Sequence, residues 1–155
     1  MSILSDRVGC VLDRLDSGGK RVHAPTLLEN IRAELHPGQL DFVNDNNTEI
    51  LGLSAGYGSG KTFAMCAKAV ILALANQGFI GCVMEPTGPL VRDIWLNDFD
   101  DFLDRHGIPH SFRSSPLPEY VLHLPGGDTK IICRSFESCE FGEFEAINSH
   151  DFIDT

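Results

Sequence analysis

Basic residues are scarce in this chain: 12 Lys and Arg stand against 22 Asp and Glu, a formal net charge of −10. A protein that binds nucleic acid on its own shows a basic face, and none is expected here. If the chain works on DNA, the basic surface comes from elsewhere. From Phe136 onward Lys and Arg are missing altogether, while Glu137, Glu140, Glu143, Glu145, Asp151 and Asp154 follow one another; such a run reads as a solvated face. Also missing is any apolar run near the roughly 20 residues of a membrane span. Met1 to Arg7 lacks a basic start followed by an apolar stretch, so neither a secretory signal nor membrane attachment is expected. Cys-x-x-Cys pairs do not occur. The five cysteines (Cys10, Cys66, Cys82, Cys133, Cys139) are odd in number and scattered, which predicts free thiols in a reducing compartment and no zinc site. His106, His110, His123 and His150 are too spread to suggest a metal site. Neither a Ser-His-Asp nor a Cys-His arrangement stands out.

What remains is an ordinary globular composition, 43% hydrophobic over 155 residues, enough for one core. Leu4, Val8, Val11, Leu12 and Leu15 recur at helical spacing and end at Ser17-Gly18-Gly19. A second helix is predicted from Pro25 to Leu35, with Leu27, Leu28, Ile31 and Leu35 on one face, broken by His36-Pro37-Gly38. One or two further helical turns follow over Gln39–Val43. Glu49–Ser54 has strand character, and Phe63–Ala75 reads as a helix. Phe79–Met84 reads as a second, buried strand. Leu90–His106 is predicted as an amphipathic helix, with Ile94, Trp95, Phe99, Phe102 and Leu103 inward. Tyr120–Leu124 and Thr129–Cys133 flank Pro125-Gly126-Gly127-Asp128 as a β-hairpin. Phe152-Ile153-Asp154 looks like the start of another strand. Strands alternating with helices of this length imply an α/β fold with a parallel sheet and crossover helices.

The densest chemistry lies at Ala55-Gly56-Tyr57-Gly58-Ser59-Gly60-Lys61-Thr62. This is a phosphate-binding loop, a Walker A motif in its relaxed form, since Ala55 stands where the strict pattern asks for Gly. A strand before it and a helix after it give the motif its physical meaning. Successive backbone N–H groups of Gly56, Tyr57, Gly58, Ser59 and Gly60, together with the helix dipole, can wrap a phosphate. Lys61 would reach the β- and γ-phosphates, and the Thr62 hydroxyl would sit on Mg²⁺. The expected ligand is therefore a nucleoside triphosphate with Mg²⁺.

Taken in order, Leu35-His36-Pro37-Gly38-Gln39-Leu40-Asp41-Phe42, the Gly56–Thr62 loop and Glu85-Pro86-Thr87 resemble the large terminase subunit of tailed bacteriophages. Arg134-Ser135-Phe136-Glu137 and Ser149-His150-Asp151-Phe152-Ile153-Asp154 fit the same pattern. The resemblance covers roughly residues 35–155, behind an N-terminal helical segment over 1–34, and only the front part of that protein. It implies a P-loop NTPase of the ASCE type, truncated after the Walker B strand, with no nuclease domain. It implies ATP binding by a motor that couples hydrolysis to translocation of double-stranded viral DNA into the capsid. Partners would be the portal protein and the terminase small subunit, in a homo-oligomeric ring in the host cytoplasm. By the same resemblance Gln39 would contact the adenine edge, and Asp154 would hold Mg²⁺, with Asp151 as the alternative. Thr155 stands where the family places a Glu, and Tyr57 stands where it often places an Arg. Arg134 could act across a subunit boundary, although a solvated or salt-bridged arginine is the plainer reading. Weak or no hydrolysis is expected of this chain alone. Two other readings stay open: a non-catalytic split or decoy subunit that binds nucleotide and assembles with a partner, and a small nucleotide kinase.

Overall fold

The computed structural model describes residues 24–138. Within them the chain forms helix α1 (Ala24–Ala33), α2 (Pro37–Asn44) and α3 (Lys61–Ala75), then strand β1 (Ile80–Glu85). One continuous helical passage follows: α4 (Gly88–Leu90), a π-helical stretch (Val91–Leu96) and α5 (Asn97–Arg105). Strands β2 (His110–Arg113), β3 (Glu119–Leu124) and β4 (Gly127–Ser135) complete the sheet, and a 3-10 turn (Phe136–Ser138) closes the described chain. The helix expected over Ile3–Leu15, the strand expected at Phe152–Asp154, and Asp151, Asp154, Cys10 and Cys139 all lie outside the described residues.

The architecture is α/β with a four-stranded mixed sheet in the order β1-β4-β3-β2. A wholly parallel sheet is therefore incorrect: only β1 and β4 run parallel, and β2, β3 and β4 form an antiparallel meander. The reason is local. A two-residue loop joins β3 to β4, so these strands can only pair antiparallel, whereas the chain from β1 returns to β4 only after the long helical passage and strands β2 and β3. Strand β2, four residues of mixed polarity, carries no alternation long enough to read from sequence.

Helix α3 is the hub. Its sequence, KTFAMCAKAVILALA, is rich in strong helix formers, and eight of its 15 residues are buried. Ala67, Val70, Ile71 and Leu74 share one core cluster with Leu27, Leu28 and Ile31 of α1, Val43 of α2, and Phe99, Phe102 and Leu103 of α5. Phe63 meets the edge of Phe102 at 5.2 Å, and Trp95 stacks on Phe99 at 4.9 Å. Against expectation, Ile94 faces outward, 42% exposed. The π-helical turn is wider than an α turn, so the inward face passes through Val91 and Trp95 instead.

Two further strand predictions need correction. Glu49–Ser54 is not part of the sheet; residues 51–56 are without regular secondary structure, and Ile50 is exposed. Phe79–Met84 does form the strand, shifted by one residue, but it is not buried. Phe79 and Ile80 are exposed, because β1 is an edge strand whose outer side has no sheet neighbour among the described residues. An apolar run alone cannot distinguish a central strand from an edge strand. Beside that edge a cavity of about 570 Å³ opens between α3 and the sheet, with Met65, Leu72, Phe79, Ile80, Trp95 and Ile131 in its walls.

Candidate nucleotide site

The Gly56–Thr62 loop occupies the N-terminus of α3, and two glycines set its shape. Gly58 and Gly60 have φ of 72° and 76°, the left-handed region that side chains avoid. Gly60 is also the N-cap of α3, with no side-chain cap and no acidic residue in the first turn. The first intrahelical bond runs from Ala64 N to Gly60 O at 3.0 Å. The N–H groups of Lys61, Thr62 and Phe63 consequently have no intrahelical carbonyl. They form the positive end of the helix dipole, uncapped by any side chain.

Lys61 folds back over the loop. Its Nζ donates to Ala55 O at 2.8 Å and Gly56 O at 2.7 Å, with Ser59 Oγ at 3.4 Å. The ammonium therefore lies where an oxyanion held by the loop would meet it. Thr62, half-buried on the first turn, makes no hydrogen bond through its hydroxyl to another described residue. Tyr57 stands fully exposed at the tip of the loop. The sequence thus places its loop residues together as a unit: Gly56, Tyr57, Gly58, Ser59, Gly60, Lys61 and Thr62 are contiguous around one helix terminus.

Helix α2 holds that unit from behind. His36 and Gln39 form a reciprocal capping box: Gln39 N–H donates to His36 Nδ1 at 3.4 Å, and His36 N–H to Gln39 Oε1 at 3.0 Å. With Nδ1 accepting, the imidazole proton is on Nε2, which lies 3.5 Å from Ser59 O and donates to it. Gln39 Nε2 donates to Gly60 O at 2.8 Å. Two successive loop carbonyls are thereby drawn toward α2. In a trans peptide the N–H points opposite to its C=O, so the amides of Gly60 and Lys61 turn away from α2, toward the loop's interior. The approach is tight. A Cβ built on Gly60 would lie 2.5 Å from Gln39 Nε2. Gln39 is 5% exposed and spends one acceptor site and one donor here. One of each remains of the four an amide offers.

Lys68, which sequence reading passed over, secures the other end of α2. From the second turn of α3 its Nζ donates to Val43 O at 3.1 Å and Asp45 O at 2.5 Å. A cation there meets the negative end of the α2 dipole. Burial lowers its pKa, an effect that the nearby Asp45 charge opposes. Its legible signal was a lysine within an otherwise apolar helical stretch.

The connectivity also brings the C-terminal end of β1 to the loop's end of the molecule, since α3 runs from the loop back to the start of β1. There Glu85 lies opposite Ser135 and next to the Met84–Arg134 pair; burial raises the Glu85 carboxyl above its ordinary value. Arg134 is turned onto its own sheet, donating to Cys133 O at 3.0 Å and lying 3.5 Å from Pro118 O. Among the described residues no group of three His, Cys, Asp or Glu could hold a metal ion. None of their helices is long and apolar enough to cross a membrane. Comparison with protein-family models, curated proteins and solved structures finds no match.

Proposed function

We propose that this chain binds a magnesium nucleoside triphosphate at the Gly56–Thr62 loop, as part of a P-loop ATPase of the terminase large-subunit type. The observation that carries the reading is the loop itself: an uncapped helix N-terminus, two left-handed glycines, and Lys61 folded across the loop carbonyls. Anions favour such a terminus. In the bound form Lys61 would exchange its carbonyl partners for β- and γ-phosphate oxygens, and the Thr62 hydroxyl would face Mg²⁺. The loop residues fit that group: three N–H groups without intrahelical partners, one ammonium and one unengaged hydroxyl. Asp154 is proposed as the second Mg²⁺ residue on the resemblance alone.

The motor assignment rests on the order of motifs around the loop. It makes the chain the ATP-binding part of a machine that moves double-stranded DNA into a capsid, with portal protein and small subunit as partners. A net charge of −10 fits a role in which DNA is gripped elsewhere in the assembly. The exposed edge of β1 and the apolar cavity beside it favour a second reading, a nucleotide-binding subunit completed by a partner. ATP turnover measured with and without double-stranded DNA and portal protein distinguishes them. Turnover that rises with DNA and portal supports the motor. Saturable binding without turnover under any condition supports the binding subunit, and phosphoryl transfer to a nucleoside monophosphate refutes both.

A further inference from the structure

The register of the antiparallel strands joins three residues that sequence order keeps apart. Ser111 of β2 lies opposite Val121 of β3, which puts it on the same face as His123, two residues along. His123 lies directly opposite Asp128 of β4. Cys133 N–H donates to Pro118 O at 2.9 Å. By the alternation of an antiparallel ladder, the His123–Asp128 pair is then a non-hydrogen-bonded one, in which side chains approach most closely. His123 Nδ1 donates to Asp128 Oδ1 at 3.0 Å, and the Ser111 hydroxyl donates to His123 Nε2 at 2.8 Å. Both ring nitrogens are used in the order a serine nucleophile needs: hydroxyl, imidazole, carboxylate. No Ser-His-Asp arrangement stands out in the sequence, because only the strand register brings these three residues together.

We propose that Ser111, His123 and Asp128 form a second reactive site, separate from the phosphate loop, at which Ser111 accepts acyl groups from small activated carboxylic esters. All three residues are exposed, on the sheet face opposite the buried Tyr120, Leu122 and Leu124, so the nucleophile is accessible. Ser111 Oγ attacks the ester carbonyl carbon while its proton passes to His123 Nε2, and Asp128 holds the resulting imidazolium. The carbon–oxygen bond to the leaving alcohol then breaks, and Nε2 returns the proton to that alcohol. Water attacks the acyl-Ser111 carbonyl, again giving a proton to Nε2; the carboxylic acid leaves and Ser111 regains its hydrogen. A donor for the oxyanion is at hand. His123 N–H donates to Pro109 O at 2.8 Å, and the same alternation turns the Phe112 N–H outward on the edge of β2 that has no strand neighbour among the described residues. The three side chains lie on an exposed stretch of the sheet and do not line the cavity beside β1. That restricts the site to esters with a small acyl group and an intrinsically good leaving group.

The test is covalent labelling by a fluorophosphonate, with the modified residue located by mass spectrometry, and hydrolysis of an aryl acetate followed in parallel. Label on Ser111 is expected, abolished in Ser111→Ala. His123→Gln should label about 100-fold more slowly, the lower end of what a positioned general base contributes, and aryl acetate hydrolysis should fall in step. Because the side chains are exposed, these variants should keep the wild-type circular dichroism. Folded wild-type protein that labels no faster than Ser111→Ala, label on another residue, or a His123→Gln rate equal to wild type would each overturn the proposal.

Discussion

Two glycines of the Gly56–Thr62 loop have nearly the same φ and differ in what surrounds them, which makes a quantitative test. Gly58 has φ 72°, and a Cβ there would meet nothing within 4 Å. Gly58→Ala should cost only the left-handed conformation, about 1–2 kcal/mol for a residue with a Cβ. Gly60 has φ 76°, and its Cβ would lie 2.5 Å from Gln39 Nε2. Gly60→Ala bears the same conformational cost, and the Gln39 amide must also move. That breaks its 2.8 Å bond to Gly60 O, with a penalty for the displaced buried amide of about 1–3 kcal/mol. The expected total is about 2–5 kcal/mol, against about 1–2 kcal/mol for Gly58→Ala. Urea denaturation at constant m-value gives both numbers. The double variant Gln39→Ala/Gly60→Ala adds an internal control: with the amide removed, the second alanine should cost no more than Gly58→Ala, so the two changes are strongly non-additive. Equal costs for the two single glycine variants, or additivity in the double variant, would refute the claim that α2 clamps the loop.

The remaining predictions follow from the same contacts. Gln39→Ala should weaken ATP and GTP binding by similar factors if the residue acts by turning the loop amides inward; a loss confined to ATP would assign it to the adenine edge instead. Lys68→Met leaves the Val43 and Asp45 carbonyls without their cation and should destabilise the fold by about 1–3 kcal/mol, read from the urea midpoint. His106 has a nearly buried side chain whose Nε2 has no hydrogen-bond partner among the described residues. Burial lowers its pKa below the ordinary 6.5, with Glu34 opposing and Arg105 adding to the shift. The unfolded chain then binds the proton first, so stability is complete above about pH 6.5 and falls as pH drops toward the folded-state value. His106→Gln should flatten that part of a stability–pH profile, and an unchanged slope would refute the assignment.

The loop and α3 were legible in the sequence because their constraints are local: glycine spacing, a lysine and hydroxyl pair, then an alanine-rich helical run. The β3–β4 hairpin was legible for the same reason, its Pro125-Gly126-Gly127-Asp128 stretch holding the two-residue loop. The inward face of the passage through Trp95, Phe99, Phe102 and Leu103 was also readable, with Ile94 misplaced because a π-helical turn leaves no mark in a 3.6-residue pattern. What could not be read depends on register and neighbours. Whether Phe79 and Ile80 are buried depends on what lies beyond β1, and their own identities do not decide it. The engagement of Gln39 with Gly60, 21 residues away, needs α2 packed against the loop. Ser111, His123 and Asp128 become neighbours only once three strands are aligned.

The central claim, that the Gly56–Thr62 loop binds a nucleoside triphosphate, is tested most directly by calorimetric titration of Mg-ATP into the folded chain, with Lys61→Ala alongside. Saturable binding by the wild type that is lost in Lys61→Ala, while both proteins keep the same circular dichroism, is the predicted result. A folded wild-type chain that binds no Mg-ATP, or a Lys61→Ala variant that binds as tightly as wild type, would contradict it.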